Sequence, residues 1–229
     1  MRADPDHADY LRRWSALYES SNYDQGLAGY FLKKSHLWCE RAYGPDVTFP
    51  RVLEVGAGTG VHLRYVRHRF DEYVMTDLNP PMLEKIRSDT HSGKVTTACA
   101  DAAALDYPDD SFDRVIAAHV LEHLPQPQHA LREWARVLKA GGILSLVLPC
   151  DPGMAWRLGR AVGSRGKFVR AGIDYDYWMA REHVNAINNL VAFLRYYFDD
   201  LREQWLPLRV PSMDLNLFYI AHIRMQAAA

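Results

Sequence analysis

The sequence predicts an α/β fold built on a mostly parallel sheet, because strand-like and helix-like segments alternate from residue 51 to residue 148. Short apolar runs such as DRVIAA and ILSLVL are typical of strands that are buried on both faces. Turn-forming stretches such as PDDS separate these runs from amphipathic segments, as in successive βαβ units. With two further strands near the C-terminus, we expect a seven-stranded sheet with helices on both faces.

Each predicted element follows from its own local pattern. Pro81 suits the first turn of a helix, and Ala140-Gly141-Gly142 is expected to end one. The predicted strands are 51–55, 72–76, 95–99, 113–118 and 143–148, with two more near 204–210 and 215–225. The predicted helices are 61–68, 81–88, 130–138 and 182–198.

The segments on either side of this core have different patterns. Tyr10, Trp14 and Tyr18 recur every four residues, which predicts a helical cap within residues 9–43. Residues 151–178 show no clear period and are expected to form an irregular insert after the fifth strand.

Composition and charge exclude several classes of protein. The 229 residues are 48% hydrophobic and 24% charged with a net charge of −1, which argues against a polyanionic partner. Three cysteines without a C-x-x-C pair argue against a disulfide framework and a zinc site. The start, MRADPDHADYLRRW, carries acids where a signal peptide needs an apolar run. We therefore expect a soluble, cytoplasmic protein without a transmembrane segment.

A glycine-rich stretch, VLEVGAGTG, follows the first strand and indicates a nucleotide-like ligand. A dinucleotide fingerprint needs G-x-G-x-x-G, but Val61 occupies the place of its last glycine. Glu54 lies two residues before Gly56, where a carboxylate would repel a pyrophosphate and attract an ammonium group. Asp77, after the second strand, would suit a ribose in either class of ligand. An NAD(P)-dependent oxidoreductase is therefore the weaker alternative.

These motifs resemble the class I S-adenosylmethionine-dependent methyltransferases of the small-molecule type. VLEVGAGTG is similar to that family's E/D-x-G-x-G-x-G, and Asp77 to the acid that ends its second strand. SFDRVIAAHVLEHL and LKAGGILSLVLP are similar to its fourth and fifth strands. The resemblance implies a Rossmann-like fold and S-adenosylmethionine as the cofactor.

The resemblance also implies roles for the first part of the cofactor site. The glycine loop would let the backbone approach the methionyl part of the cofactor. Glu54 would hold the ammonium group, directly or through water, and Asp77 would accept both ribose hydroxyls. The loop residues are Gly56, Ala57, Gly58 and Gly60.

The second part of the implied site would hold the adenine and the sulfonium. Leu78 and Met82 would lie against the adenine, Asp101 would accept its amino group, and Ala102 would offer a backbone N–H. His119 would begin the loop beneath the sulfonium. A helix cap or a turn is the alternative role for Asp101 and for Asp77.

Nucleic acid is not the expected substrate. DLNPPM contains N-P-P, but the N-P-P-Y motif of methyltransferases that act on nucleobase amino groups follows the fourth strand, and this stretch follows the second. Met82 also offers no ring on which a flipped base could stack.

Three residues are candidates for the chemistry. An alcohol acceptor needs a base, and His119, His183 and Asp151 follow strands or begin the long helix near the expected acceptor pocket. In a helix, His119 and His123 would share one face like a metal pair, but similar E-H-L-P stretches recur in the family without a metal. We therefore expect no metal.

The insert suggests the nature of the acceptor. It is rich in arginine and has no acid between Pro152 and Ile173, which suits a phosphate or a carboxylate. We expect a small anionic acceptor, such as a phosphorylated or nucleotide-linked sugar or a polysaccharide precursor. Contact of this basic turn with an anionic membrane stays open. The predicted acceptor-binding residues are Arg157, Arg160, Arg170, Tyr175, Tyr177, Trp178 and His183.

Together these features predict a single domain over residues 1–229, acting as a monomer or a homodimer. Methyl transfer to an oxygen or a nitrogen is expected, and a non-catalytic cofactor-binding module is a further alternative. The predicted parts are a helical cap (1–45), a cofactor-binding core (46–150), an acceptor-binding insert and helix (151–198) and C-terminal strands (199–229).

Overall fold

The computed structural model describes residues 26–86, 94–163 and 165–226, together with Asp4, Asp6, Asp9, Tyr10 and Arg13. Seven strands form one sheet: β1 (Arg51–Val55), β2 (Glu72–Asp77), β3 (Lys94–Cys99), β4 (Phe112–Ala118), β5 (Leu138–Pro149), β6 (Leu201–Leu206) and β7 (Phe218–Arg224). The helices are α1 (Leu27–Glu40), α2 (Pro80–Leu83), α3 (Pro127–Val137), α4 (Met154–Val162), α5 (Arg165–Arg170), α6 (Tyr175–Glu182) and α7 (Ile187–Tyr197).

The strand order is β3-β2-β1-β4-β5-β7-β6. The first five strands in this order are parallel, β7 runs antiparallel to β5, and β6 runs antiparallel to β7. This arrangement confirms the predicted seven-stranded, mostly parallel, Rossmann-like sheet. Because the carboxyl ends of parallel strands share one edge, the segments after β1, β2, β4 and β5 meet there.

Both faces of the central strands are buried, as their apolar runs predict. Leu53, Val115 and Leu144 belong to the core cluster that packs against Trp134 of α3. Ile116 of β4 belongs to a second cluster that includes neighbouring residues of β1 and β2. The sheet therefore forms a rigid, two-sided support for the loops at its carboxyl edge.

One predicted helix and one predicted helix end differ from the structure for tertiary reasons. Only His62–Tyr65 of the predicted helix 61–68 is helical, as a 3₁₀ turn. The chain leaves it because Arg69 pairs with the backbone of Val47 and Phe49 on the way to β2. Ala140-Gly141-Gly142 lies within β5, at the register shift between β4 and β5, and Gly141 has a φ of 77°.

The expected irregular insert is helical. Residues 151–178 contain α4, α5 and the start of α6. Asp214 holds the start of α4, because its Oδ1 accepts the N–H of Met154 at 3.0 Å and its carbonyl accepts the N–H of Ala155 at 2.9 Å. The predicted helix 182–198 begins only at Ile187, after a break at residues 183–186.

A buried ion pair fastens α1 to the sheet. Both carboxylate oxygens of Glu40 accept N–H groups of Arg114 on β4, at 2.7 and 2.9 Å, and Glu40 Oε1 also lies 2.9 Å from His62 Nε2. Arg114 donates further to the hydroxyl of Ser145. The atoms of Cys39, Glu40 and His62 that could ligate a metal ion lie within 4.8 Å of one another. Both oxygens of Glu40, however, already accept hydrogen bonds. The cluster is therefore an ion-pair network that holds α1.

The N-terminal cap is described only in part. α1 lies within the predicted helical range 9–43, whereas Trp14 and Tyr18 lie outside the described residues. No helix in the described part of the chain is long and apolar enough to span a bilayer.

Candidate active site

The loop after β1 is the first component of the site. Gly56, Gly58 and Gly60 have φ values of 65°, 56° and 74°, a region that residues with side chains rarely adopt. A Cβ on Gly56 would clash with a methyl group of Val120, whereas the nearest atom to a Cβ on Gly58 is Met82 Cε at 4.0 Å. The loop is therefore closed at Gly56 and open to a ligand at Gly58.

Asp77 links this loop to the end of β2. Its Oδ2 accepts the N–H of Gly58 at 2.9 Å, and its Oδ1 accepts the N–H of Asn79 at 2.8 Å. A carboxylate offers about four lone-pair positions, so both oxygens keep capacity for ligand hydroxyls. Leu78 beside it is 70% exposed, while Met82 is buried. These placements suit the roles predicted for them.

Glu54 is buried at the end of β1. The hydroxyl of Tyr73 donates to its Oε2 at 2.7 Å. Burial raises the pKa of Glu54, against the lowering effects of the His62 charge and the Tyr73 hydrogen bond. An ammonium group near this carboxyl would favour its ionised form, which is the role predicted for Glu54.

Asp101 and Ala102 form a turn after β3. Asp101 is exposed, and its Oδ1 accepts the N–H of Ala103 at 2.8 Å. The carbonyl of Ala102 accepts the indole N–H of Trp134 at 2.8 Å. Asp101 therefore shapes this turn, and contact with adenine stays a prediction for both residues.

His119 lies at the end of β4 with a φ of 61°, and its N–H donates to the carbonyl of Val147 at 2.9 Å. Its Nε2 lies 3.1 Å from the hydroxyl of Ser35, which itself donates to the carbonyl of Leu32. Because the Ser35 hydroxyl donates its proton to Leu32, it can only accept from His119. Nε2 therefore carries the ring proton and donates to that hydroxyl. Burial, with the charges of neighbouring histidines, lowers the pKa of His119 to about 3. The ring is therefore neutral at physiological pH.

Asp151 and His183, predicted separately, form a hydrogen-bonded pair. His183 Nδ1 lies 2.9 Å from Asp151 Oδ2, and Arg160 Nη1 lies 3.3 Å from the same oxygen. Although burial opposes it, the hydrogen bond and charge of His183 and the charge of Arg160 lower the pKa of Asp151. With Asp151 ionised, Nδ1 of His183 must donate. In the neutral imidazole, Nε2 is then the proton acceptor.

The break before α7 builds this pair. The N–H of Ile187 donates to the carbonyl of Asp151 at 2.8 Å, and the N–H of Asn185 donates to the carbonyl of Glu122 at 3.1 Å. The side-chain amide of Asn185 donates to the carbonyls of Leu121 and Leu124. These bonds draw residues 183–186 out of the predicted helix and onto the turn after β4.

Glu122 is a further candidate for the site, and the sequence did not single it out. Its side chain is 2% exposed, and its Oε1 lies 3.8 Å from both His119 Nδ1 and His123 Nε2. Oε2 is buried without a hydrogen-bond partner among the described residues. Burial raises the pKa of Glu122 to about 8, and the charge of Asp151 adds to the rise. The available signal was an acid flanked by two histidines in HVLEHL.

The aromatic residues of the insert mostly pack against protein. Trp178 is buried and stacks on Tyr10 with ring centroids 3.6 Å apart, and Tyr175 is buried and stacks on Phe168. Tyr177 is half-buried, and its hydroxyl donates to an exposed carboxylate near the N-terminus. Burial favours a packing role for Tyr175 and Trp178, and acceptor contact stays a prediction for Tyr177.

The predicted arginines separate into two groups. Arg160 reaches Asp151 and lies with its guanidinium 5.2 Å from the centre of the Tyr175 ring. Arg157 and Arg170 are exposed on the outer surface of α4 and α5. Arg160 is therefore the predicted arginine that the fold brings to the histidine–aspartate pair.

A glycine loop after the first of several parallel strands, with an acid at the end of the second, defines a Rossmann-like domain for a nucleotide-type cofactor. Residues 53–146 match the family model described as a methyltransferase domain. Residues 53–146 therefore form a class I S-adenosylmethionine-dependent methyltransferase domain, and the cofactor of this domain is S-adenosylmethionine.

Curated relatives share mainly this core. A chloroplastic 2-methyl-6-phytyl-1,4-hydroquinone methyltransferase of Oryza sativa subsp. japonica is 41% identical over 104 residues, covering 44% of this chain and 32% of that protein. A phosphatidylethanolamine N-methyltransferase of Cereibacter sphaeroides is 35% identical over 101 residues, covering 42% of this chain and 49% of that protein. The chain thus spans less than half the length of these relatives.

Solved structures share the fold over almost the whole chain. The N-methyltransferase NodS of Bradyrhizobium japonicum WM9, in complex with S-adenosyl-L-homocysteine, has a TM-score of 0.65 at 17% identity and covers 96% of this chain and 98% of that one. Phosphoethanolamine N-methyltransferase 2 of Haemonchus contortus, in complex with S-adenosyl-L-methionine, has a TM-score of 0.67 at 16% identity and covers 97% of this chain and 59% of that one. At this identity the likeness shows the fold.

Proposed function

We propose that this chain transfers the methyl group of S-adenosylmethionine to an oxygen or a nitrogen of a small acceptor, and that an oxygen is favoured. The observation that carries the proposal is the pair of Asp151 and His183 at the carboxyl edge of the sheet, 2.9 Å apart. An imidazole oriented by an ionised carboxylate is a general base, which a hydroxyl acceptor needs and a free amine does not.

The residues at the glycine loop fit the cofactor. Gly58 leaves space for a ligand at the backbone, and Asp77 presents a half-exposed carboxylate beside it. We assign the ribose to Asp77, the ammonium group to Glu54 and the adenine to the turn of Asp101 and Ala102. When bound, S-adenosylmethionine supplies a methyl group on a positively charged sulfur, which makes the carbon electrophilic.

The remaining groups define what the protein does for the reaction. His183 Nε2 takes the proton of the acceptor hydroxyl, while Asp151 holds the ring and stabilises the charge that the ring gains. His119, kept neutral by burial, lines the same edge. The buried surroundings of Glu122 and His119 exclude water, which strengthens the alignment of acceptor and donor.

The proposed class of acceptor is inferred from the charge near the site. The relatives' names span a hydroquinone, a phospholipid amine and an acyl-carrier-protein-bound acid, so similarity selects no acceptor class. Arg160 beside the histidine–aspartate pair supports an anionic acceptor, including the phosphorylated or nucleotide-linked sugars and polysaccharide precursors predicted from the sequence.

Cofactor binding is tested by calorimetry with S-adenosylmethionine, S-adenosylhomocysteine and NADPH. We expect binding of the first two ligands, loss of binding in Gly58→Val and Asp77→Ala, and unchanged binding in Asp71→Ala, an exposed acid at the opposite edge of the sheet. Circular dichroism checks that each variant is folded. Unchanged affinity in both site variants, or binding of NADPH alone, contradicts the assignment.

The reaction is tested by S-adenosylhomocysteine formation with panels of small phenols, sugar phosphates and primary amines. We expect turnover of hydroxyl acceptors and a fall of about 10²–10⁴-fold in kcat for His183→Gln, with cofactor affinity retained. Turnover of amines alone would place the methyl group on nitrogen. Cofactor binding without turnover of any panel would indicate a non-catalytic module.

A further inference from the structure

One helix of the insert presents its apolar side to solvent. Met154, Leu158 and Val162 recur every four residues along α4 and are 65%, 64% and 73% exposed. The opposite side of α4 faces the protein, where the Trp156 ring contacts that of Phe218 with centroids 5.6 Å apart. The helix therefore packs against the protein on one side, and its exposed apolar side chains lie on the other side. Contiguous exposed apolar side chains of this kind mark an interaction surface.

The loop that joins β6 to β7 extends this surface. Asp214 ties residues 207–216 to α4 through the two hydrogen bonds that hold the N–H groups of Met154 and Ala155. Leu215, next to Asp214, is 47% exposed. The outer side chains of α4 and this loop form what we name the α4 face.

Positive charge surrounds the α4 face. Residues 153–172 contain five arginines and lysines and no acid. Arg157 and Arg170 are exposed, and no salt bridge joins either one to a carboxylate in the described part of the chain. The nearby acids are already engaged: Asp176 pairs with Arg165, and Asp214 accepts backbone N–H groups.

We propose that the α4 face docks on the surface of an anionic lipid bilayer. Its apolar side chains enter the boundary between headgroups and acyl chains, and Arg157 and Arg170 contact anionic headgroups. A second copy of the chain fits this face less well, because a symmetric contact would place like charges opposite one another. The four exposed apolar side chains of the face, Met154, Leu158, Val162 and Leu215, are also few for the roughly 800 Å² per partner that a stable interface buries.

Docking would place the histidine–aspartate pair beside the bilayer. Arg160 lies on the same helix and reaches Asp151 at 3.3 Å, so about one helix diameter of 10–12 Å separates the α4 face from that pair. An acceptor carried in the membrane surface could then reach the site from its edge. The docking itself does not depend on the proposed methyl transfer, and it is tested without an acceptor.

The test is co-sedimentation of the full chain with vesicles of phosphatidylcholine alone and of phosphatidylcholine mixed with phosphatidylglycerol. We expect binding only to the mixed vesicles and a decline as salt is added. Combining Leu158→Ser with Val162→Ser should lower the partition coefficient by about a hundredfold, since each side chain contributes roughly tenfold. Tyr196→Ser, on the 82% exposed side chain of α7, is the matched apolar control and should change nothing.

The contribution of the exposed arginines to membrane binding is tested in parallel. Arg157→Gln should weaken binding to the mixed vesicles by about fivefold, whereas Arg67→Gln, an exposed arginine at the opposite edge of the sheet, should not. Cofactor binding by the Leu158 and Val162 variant shows that it is folded. Equal binding to both vesicle types, or full binding by that variant, overturns the proposal. A dimer in solution that the same variant dissociates would assign the α4 face to a second copy and overturn it as well.

Discussion

Glu40 and Glu122 are equally buried glutamates with opposite acid–base behaviour. Burial alone would raise both pKa values, but the charge and hydrogen bonds of Arg114 and His62 hold the pKa of Glu40 far below its usual range. Glu122 has only uncharged histidines at 3.8 Å, and its pKa rises to about 8. What differs between the two regions is therefore the presence of a buried cation.

The difference separates a closed structural cluster from an open cluster that is a candidate for function. Around Glu40 every carboxylate oxygen has a charged or polar partner, so the network is closed and holds α1 to β4. Around Glu122 one oxygen has no partner among the described residues, and the neighbouring histidines are neutral. An open polar cluster with shifted pKa values at the carboxyl edge of a sheet is where chemistry is expected.

Breaking the closed network should have the largest effect on stability. Arg114→Met leaves Glu40 buried without its cation, and we expect a loss of about 3–5 kcal/mol in the free energy of unfolding. Urea denaturation followed by circular dichroism measures it. The double variant Glu40→Gln with Arg114→Met should recover part of the loss, because no uncompensated charge remains. A double variant as unstable as the single one would contradict this account.

At the pair of Asp151 and His183, the largest effect should fall on activity. Asp151→Asn keeps the shape of the side chain but removes the charge that orients and stabilises His183. We expect kcat to fall by about 10²–10³-fold with little change in cofactor affinity. Steady-state kinetics at saturating cofactor measures it. Asp199→Asn, an exposed acid after α7, should have wild-type kinetics. An unchanged kcat in Asp151→Asn would remove the pair from the mechanism.

The raised pKa of Glu122 should be detectable in the pH dependence of stability. A carboxyl whose folded pKa is about 8 and whose ordinary value is 4.5 holds more protons when folded, so stability falls as pH rises between these values. Glu122→Gln removes this loss. We expect the variant to exceed the wild type by about 3–5 kcal/mol at pH 9 and to match it at pH 4. A difference that does not vary with pH would show that the pKa of Glu122 is not raised in the folded protein.

The sheet could be predicted from the sequence because its signals are local. The range 51–55 is both the predicted first strand and β1, and the remaining strands differ from their predicted bounds by a few residues. The glycine loop and Asp77 carry equally local signals, since a tight turn and a strand end are short-range features. Their positions could therefore be predicted from the residues alone, whereas their roles in cofactor binding are implied by the resemblance and stay predictions.

The helices of the insert depend on contacts far along the chain. α4 starts where Asp214, 60 residues beyond Met154, accepts its N–H. The pairing of Asp151 with His183 required the break before α7, and the periodicity of residues 182–198 gave no sign of that break. In the sequence, Glu122 stands out only as a neighbour of two histidines. Its burial results from a 3₁₀ turn, whereas the sequence suggested a helix in which His119 and His123 share one face.

Breaking an exposed ion pair should cause the smallest loss of stability, and it serves as the reference for the two buried clusters. Arg195 of α7 donates to both oxygens of Glu203 on β6 at 3.0 and 3.1 Å, but its side chain is 55% exposed. Arg195→Gln should cost less than about 1 kcal/mol in the free energy of unfolding, because water replaces the lost partner and the Tyr219 hydroxyl still donates to Glu203. The same urea titration used for Arg114→Met measures it. A loss comparable to that of Arg114→Met would mean that geometry, rather than burial, sets the strength of these pairs.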